Sequence, residues 1–246
     1  MKAIVITGYG FNSDAELAEA FSLAGADARR VHVADLVERP ELIRDAGVLG
    51  FPGGFSFGDH LGSGKEIANL LRKSAKEELE RFVGEGKPLI GICNGFQVIA
   101  KLGIVPNASG NWEPEASLIH NEGGAFIDDW IRVEAEPGSP CVWTEGLPPL
   151  ELPIRHGEGR FVAADEARLD ALESRGLVAL RYAGRNPNGS SRAIAGVTDP
   201  SGMVLGLMPH PECFIWPEHH PRWRRERILA TGLEIFKRGV ARAKRG

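Results

Sequence analysis

Cys93 sits between two glycines in the run Gly91-Ile92-Cys93-Asn94-Gly95-Phe96-Gln97. The apolar stretch Pro88–Ile92 precedes it, and a helical pattern resumes from Val98 to Leu102. A nucleophile between glycines on a tight strand-to-helix turn is lifted clear of the backbone, because the turn strains its dihedrals and small neighbours leave room. The same turn sets the sulfur at a helix N-terminus, where the dipole and free N–H groups favour thiolate over thiol. A lone cysteine is also commonly a buried core residue. The turn by itself fits either role.

An activated cysteine needs a base, and the base needs a group that orients it. His210 and Glu212, in Met208-Pro209-His210-Pro211-Glu212, offer both at the end of the apolar run Val204–Met208. In extended backbone, residues i and i+2 face one side, and the flanking prolines stiffen the chain. Pro52-Gly53-Gly54 follows another apolar run, Ala46–Phe51, and leaves backbone N–H groups unobstructed by side chains. Together with the N–H of Asn94, the Gly53-Gly54 turn would form an oxyanion hole, the donor pair that acyl transfer requires for its tetrahedral intermediate.

These residues must be brought together by a sheet. Short β-branched runs alternate with helix-period stretches through the first hundred residues, the signature of βα units around a parallel sheet. The pattern predicts strands at Lys2–Thr7, Arg30–Val33, Ala46–Phe51, Pro88–Ile92 and Val204–Met208. It predicts helices from an Asn12-Ser13-Asp14 cap to Leu23, over Lys65–Val83, and over Arg224–Lys237. Residues 107 to 195 are richer in Pro, Gly and short strands and read as insertions and edge hairpins within one domain of 1–246. Cys93 and His210 then both fall at the carboxyl ends of strands, where open α/β sheets hold their sites.

Bulk properties narrow the field. The 246 residues are 43% hydrophobic, enough for one sizeable core. A net charge of −4 provides no broad positive field for nucleic acid. The basic stretches Arg222–Arg227 and Arg238–Arg245 read as a solvated helix face. No apolar run approaches the ~20 residues needed to span a bilayer, and the N-terminus runs straight into a strand pattern, so a cytoplasmic protein is expected. Cys93, Cys141 and Cys213 lack paired spacing, which suggests neither a disulfide framework nor a zinc site. Gly62-Ser63-Gly64-Lys65 fails as a phosphate loop, since Asp59 stands where the first glycine belongs and Glu66 replaces the Ser/Thr. His219 and His220 match no metal spacing, and Trp130, Trp216 and Trp223 read as packing anchors. No metal and no cofactor are expected in this chain.

In this order, Pro-Gly-Gly, Gly-x-Cys-x-Gly-x-Gln and His-Pro-Glu resemble the class I glutamine amidotransferases. The longer runs Phe51-Pro52-Gly53-Gly54-Phe55-Ser56-Phe57-Gly58-Asp59 and His156-Gly157-Glu158-Gly159-Arg160-Phe161 narrow the resemblance. They look like the amidotransferase subunits of phosphoribosylformylglycinamidine synthase, over essentially the whole chain. The resemblance implies a flavodoxin-like three-layer α/β fold: a mostly parallel central sheet with helices on both faces and an edge of short antiparallel strands. It implies that Cys93 attacks the side-chain amide of glutamine, that His210 oriented by Glu212 shuttles protons, and that Gly54 and Asn94 supply oxyanion N–H groups. Gln97 would help hold glutamine.

It also implies that ammonia passes to a larger synthetase subunit, which binds ATP and Mg and activates formylglycinamide ribonucleotide, with a small accessory subunit in the assembly. The segment Asn121-Glu122-Gly123-Gly124-Ala125-Phe126 departs from the family, which commonly has serine at 123 and arginine at 125. Two other readings compete: a glutaminase serving a different acceptor, and a non-catalytic scaffold subunit.

Overall fold

The computed structural model describes residues 1–228 and 230–245. Its elements, in chain order, begin with strand β1 (Lys2–Thr7), helix α1 (Asp14–Leu23), β2 (Asp27–His32), α2 (Val33–Glu38) and β3 (Val48–Phe51). There follow α3 (Lys65–Ser74), α4 (Lys76–Gly84), β4 (Leu89–Ile92), α5 (Asn94–Lys101), β5 (Ala116–Ile119), β6 (Ile127–Ala135), β7 (Leu150–His156) and β8 (Arg160–Ala163). The chain closes with α6 (Glu166–Ser174), β9 (Val178–Tyr182), β10 (Ile194–Thr198), β11 (Val204–Leu207) and α7 (Leu233–Ala243).

The main sheet runs β2-β1-β3-β4-β11-β10-β9-β6-β7, and β5 pairs with β8 in a separate antiparallel ribbon. The first five strands are mutually parallel. Every residue of β3, β4 and β11 is buried, which is why these strands read as unbroken apolar runs instead of alternating ones. β2 is the polar edge.

Because β1 steps to β2 in one direction and β3 to β4 in the other, right-handed crossovers send α1 to one face and α3 to the opposite face. α7 joins α1 through an edge-to-face contact of Phe21 with Phe236, ring centroids 5.6 Å apart. Phe96 of α5 lies flat enough on β11 that a Cβ at Gly206 would come within 2.2 Å of its ring. Fully burying such a ring contributes roughly 1.5–3 kcal/mol, and here it also fixes the helix that carries the Cys93 turn.

Several expectations shift. The predicted helix over 65–83 is two helices, broken at Ala75 (φ −129°, ψ 7°) without a Gly or Pro to announce the break. Val33 opens α2 in place of ending a strand, and His32 caps it by accepting from Ala34 N–H at 3.0 Å. Ser13 precedes α1 but makes no side-chain cap; Asp14 instead accepts from Thr7 Oγ1 at 2.7 Å. The last helix begins at Leu233, since 221–225 form turns, and Leu229 of the predicted helix lies outside the described residues. Finally, the antiparallel edge is continuous with the parallel strands: β10 pairs with β11, β9 with β10, the nine-residue β6 with β9, and β7 with β6.

Candidate active site

The ends of three neighbouring parallel strands build the site. β4 ends at Ile92, and Cys93 takes φ 51°, ψ −106°, a left-handed conformation that only a held turn tolerates. The strain is fixed from both sides: Cys93 N–H donates to Leu207 O at 2.8 Å, and Gln97 N–H returns to Cys93 O at 3.0 Å. A Cβ on Gly95 would lie 2.0 Å from Phe51 O, so the helix start presses directly on the end of β3. α5 begins at Asn94, immediately after the cysteine and earlier than the apolar pattern suggested.

Next in the sheet, β11 delivers His210 and Glu212. The extended i, i+2 geometry expected for them is not what aligns them. Residues 211–213 form a 3₁₀ turn, with Pro211 at its start, and this turn folds the Glu212 carboxylate back onto His210 Nδ1 at 2.6 Å. Both side chains are buried, Glu212 completely. His210 N–H is itself held by Pro153 O of β7 at 2.8 Å, so the antiparallel end of the sheet curls back over the site. Burial opposes charge on His210, yet Glu212 and then Cys93 outweigh it and raise its pKa well above the ordinary histidine value. His210 Nε2 makes no hydrogen bond among the described residues. Contacts between a base and its nucleophile are often long before substrate tightens them.

On the other side, β3 leads into Gly53-Gly54. A Cβ on Gly53 would lie 2.5 Å from His210 Cε1, so the imidazole packs against bare backbone there. Gly54 (φ 154°) is pinned to Phe11 by an isolated bridge whose hydrogen bonds use Asn12 N–H to Gly53 O (3.0 Å) and Phe55 N–H to Gly10 O (2.9 Å). That pairing leaves the Gly54 N–H outside it. Asn94 N–H, in the first turn of α5, has no acceptor within its own helix.

Gly54, Cys93, Gln97, Phe55, Phe126 and Arg155 line one pocket of about 150 Å³, together with Asp59, Ser63, His120 and the loop His156-Gly157-Glu158. That volume is below the ~300–1,000 Å³ typical of drug-sized ligand sites. It suits a single amino acid. The 156–159 loop is therefore a wall of this pocket. Gln97 lines it too, but its amide is already engaged, donating to Glu158 O at 2.6 Å and accepting from Asn94 Nδ2 at 2.9 Å. Burial, then the neighbouring Glu158 and Glu66, push the Asp59 carboxyl up against the pull of a Ser63 hydrogen bond.

Sequence reasoning missed Asn121 as the organiser of this wall. Its Nδ2 donates to Ala125 O (2.9 Å) and His156 O (2.8 Å), while its Oδ1 accepts from Gly159 N–H (3.1 Å) and faces His156 Nδ1 (3.0 Å). Its position in the unusual 121–126 segment was the available signal. Among the described residues, His210, Glu212 and Cys213 also place ligand atoms within 4.8 Å of one another. His210 and Glu212 are already joined by a hydrogen bond, and burial raises the Cys213 thiol, so this cluster is a poor metal chelate.

A buried thiol on a strained elbow, an imidazole–carboxylate pair and backbone donors beside an amino-acid-sized pocket are the parts that a cysteine-dependent amide hydrolase requires. Comparison with known proteins gives the family: a model of the CobB/CobQ-like glutamine amidotransferase domain matches residues 1–241, and the chain belongs to that family. Among curated proteins it is 37% identical to phosphoribosylformylglycinamidine synthase subunit PurQ of Dehalococcoides mccartyi, over 98% of this chain and 96% of that one. It is 39% identical to the subunit of the same name from Treponema denticola, over 97% of each. Among solved structures it superposes on a chain of PurLQS from Thermotoga maritima with a TM-score of 0.76 and 29% identity, covering 98% of both chains. The glutaminase domain of Trypanosoma brucei CTPS, with bound acivicin, shares the fold at a TM-score of 0.60 and 17% identity, covering 100% of this chain and 94% of that one.

Proposed function

We propose that this chain hydrolyses glutamine to glutamate and ammonia, and supplies the ammonia for conversion of formylglycinamide ribonucleotide to formylglycinamidine ribonucleotide in purine biosynthesis. The observation that carries the chemistry is the convergence of Cys93, the His210–Glu212 pair and the Gly53-Gly54 turn at adjacent strand ends. The acceptor rests on the full-length likeness to the PurQ subunits.

The sulfur of Cys93 attacks the side-chain amide carbon of glutamine, and the oxygen that gains charge is met by the N–H groups of Gly54 and Asn94. His210, kept protonated by Glu212, gives its proton to the nitrogen, the C–N bond breaks and ammonia leaves a thioester on Cys93. His210 then takes a proton from water, whose oxygen attacks the thioester and releases glutamate. Gln97 acts mainly by tying α5 to the pocket wall through Glu158 O, and so sets the shape in which glutamine sits.

The whole chain acts as one amidotransferase domain in the cytoplasm. No helix among the described residues is long and apolar enough to cross a membrane. ATP and Mg belong to a larger synthetase subunit, and a small accessory subunit completes the assembly. Phe55 and Phe126, at the pocket mouth with ring centroids 6.1 Å apart, are about half exposed and form part of the face the synthetase covers. Glutamate release should rise on adding the synthetase subunit. Equal rates with and without it would refute docking as the step that completes the pocket.

A further inference from the structure

His156 is 2% exposed and forms part of the pocket wall, yet its Nε2 has no hydrogen-bond partner among the described residues. Its tautomer follows from its neighbours. Asn121 Nδ2 faces two carbonyls, Ala125 O and His156 O, so its amide cannot be reversed without setting donors against the Gly159 N–H. Asn121 Oδ1 is thus an acceptor, and the His156 Nδ1 opposite it at 3.0 Å carries a hydrogen. In the neutral ring, Nε2 is then a bare lone pair. The ring cannot tilt away easily, since it lies over Gly159, where a Cβ would come within 2.2 Å of Nδ1.

His156 and Cys93 line the same pocket. The Arg155 carbonyl, next to it in the chain, faces Cys93 Sγ at 3.7 Å, and His156 is near enough to His210 to feel its charge. A free amino acid offers several N–H donors. Its α-ammonium has better partners in the carboxylates of Asp59 and Glu158, which line the same pocket. The donor left for a neutral imidazole in the pocket it shares with the thiol is the side-chain amide itself.

We propose, resting on the glutaminase reading, that His156 is the residue that positions the leaving nitrogen: Nε2 accepts one N–H of the substrate's side-chain amide and turns the nitrogen lone pair toward His210. As the thioester forms, the Cys93 S–C bond closes, the C–N electron pair stays on nitrogen and takes the proton from His210, and ammonia departs still hydrogen-bonded to His156. His156 neither gives nor takes a proton in this step. It distinguishes an amide from an acyl donor without N–H.

The test compares glutamine with the γ-methyl ester of glutamate, whose leaving oxygen carries no hydrogen, on the chain assembled with its synthetase subunit. His156→Leu removes the acceptor, and His156→Gln retains one at the end of the side chain. With His156→Leu, kcat/KM for glutamine should fall about 10-fold further than that for the ester, the worth of one such hydrogen bond, and His156→Gln should recover most of the difference. Labelling of Cys93 by a diazoketone analogue of glutamine, which also lacks the amide, should proceed in both variants and shows that the pocket is formed. Equal losses on amide and ester, or lost labelling in both variants, would overturn the role of His156 while leaving the glutaminase reading intact. A wild-type assembly that neither hydrolyses glutamine nor is labelled at Cys93 would overturn both.

Discussion

Replacing Glu212 with Gln tests the electrostatic core of the mechanism while nearly preserving shape. The carboxylate accepts from His210 Nδ1 at 2.6 Å, and both groups are shut off from water. Two unit charges with centres about 4 Å apart attract by about 4 kcal/mol at an effective dielectric of about 20. In the wild type this attraction, with help from Cys93, overrides the burial that disfavours a charged imidazole. With glutamine at 212 the hydrogen bond to Nδ1 survives, but burial prevails and the His210 pKa falls below the ordinary histidine range.

The acid that must protonate the leaving nitrogen is then scarce at neutral pH. A loss of about 4 kcal/mol of transition-state stabilisation lowers kcat/KM for glutamine by about 10³-fold. Steady-state glutamate release measures the rate, and a ¹⁵N titration of labelled His210 measures the shift. An unmoved His210 titration, or kcat/KM held within about tenfold of wild type, would refute this reasoning.

His156 ties stability to pH. Burial first, then the charge of His210, lower its pKa from 6.5 to about 4. Between those values the unfolded chain binds more protons than the folded one, so stability is full above pH 6.5 and is lost as pH falls toward 4. At pH 5 this group should cost about 2 kcal/mol relative to pH 7.5, which urea unfolding of wild type against His156→Gln would reveal as a smaller acid sensitivity in the variant. Gly95→Ala sets a methyl 2.0 Å from the Phe51 carbonyl oxygen and should cost about 3 kcal/mol or more, or abolish folding, as read by thermal unfolding. Gly123→Ser, which restores the residue common in the family, meets no atom within 4 Å and should change stability by less than about 0.5 kcal/mol.

The parallel half of the sheet and the three site segments were legible because each depends on local signals. β3, β4 and β11 are continuous apolar runs, and Gly91-x-Cys93-x-Gly95 states its own turn. What escaped was long-range. Asn121 and His156 are separated by 35 residues in the chain, and nothing short of folding pairs them. Strands β6 and β7 carry alternating and mixed burial and few of the β-branched blocks that mark β1, so their place in the main sheet was not readable. The break at Ala75 has no punctuating residue, and the Trp- and Arg-rich stretch before α7 has helical composition but lies as turns anchored by Arg222 to Glu151 and Glu226. The alignment of His210 with Glu212 was expected for a different reason: a 3₁₀ turn does what extended backbone was thought to do.

The most direct test of the account is glutamate release from glutamine by the chain assembled with its synthetase subunit, for wild type and Cys93→Ala. Cys93 is the one described thiol that lines the 150 Å³ pocket. The alanine variant should fold, assemble and release no glutamate above background. Glutamate release by Cys93→Ala at a rate near that of wild type would contradict it.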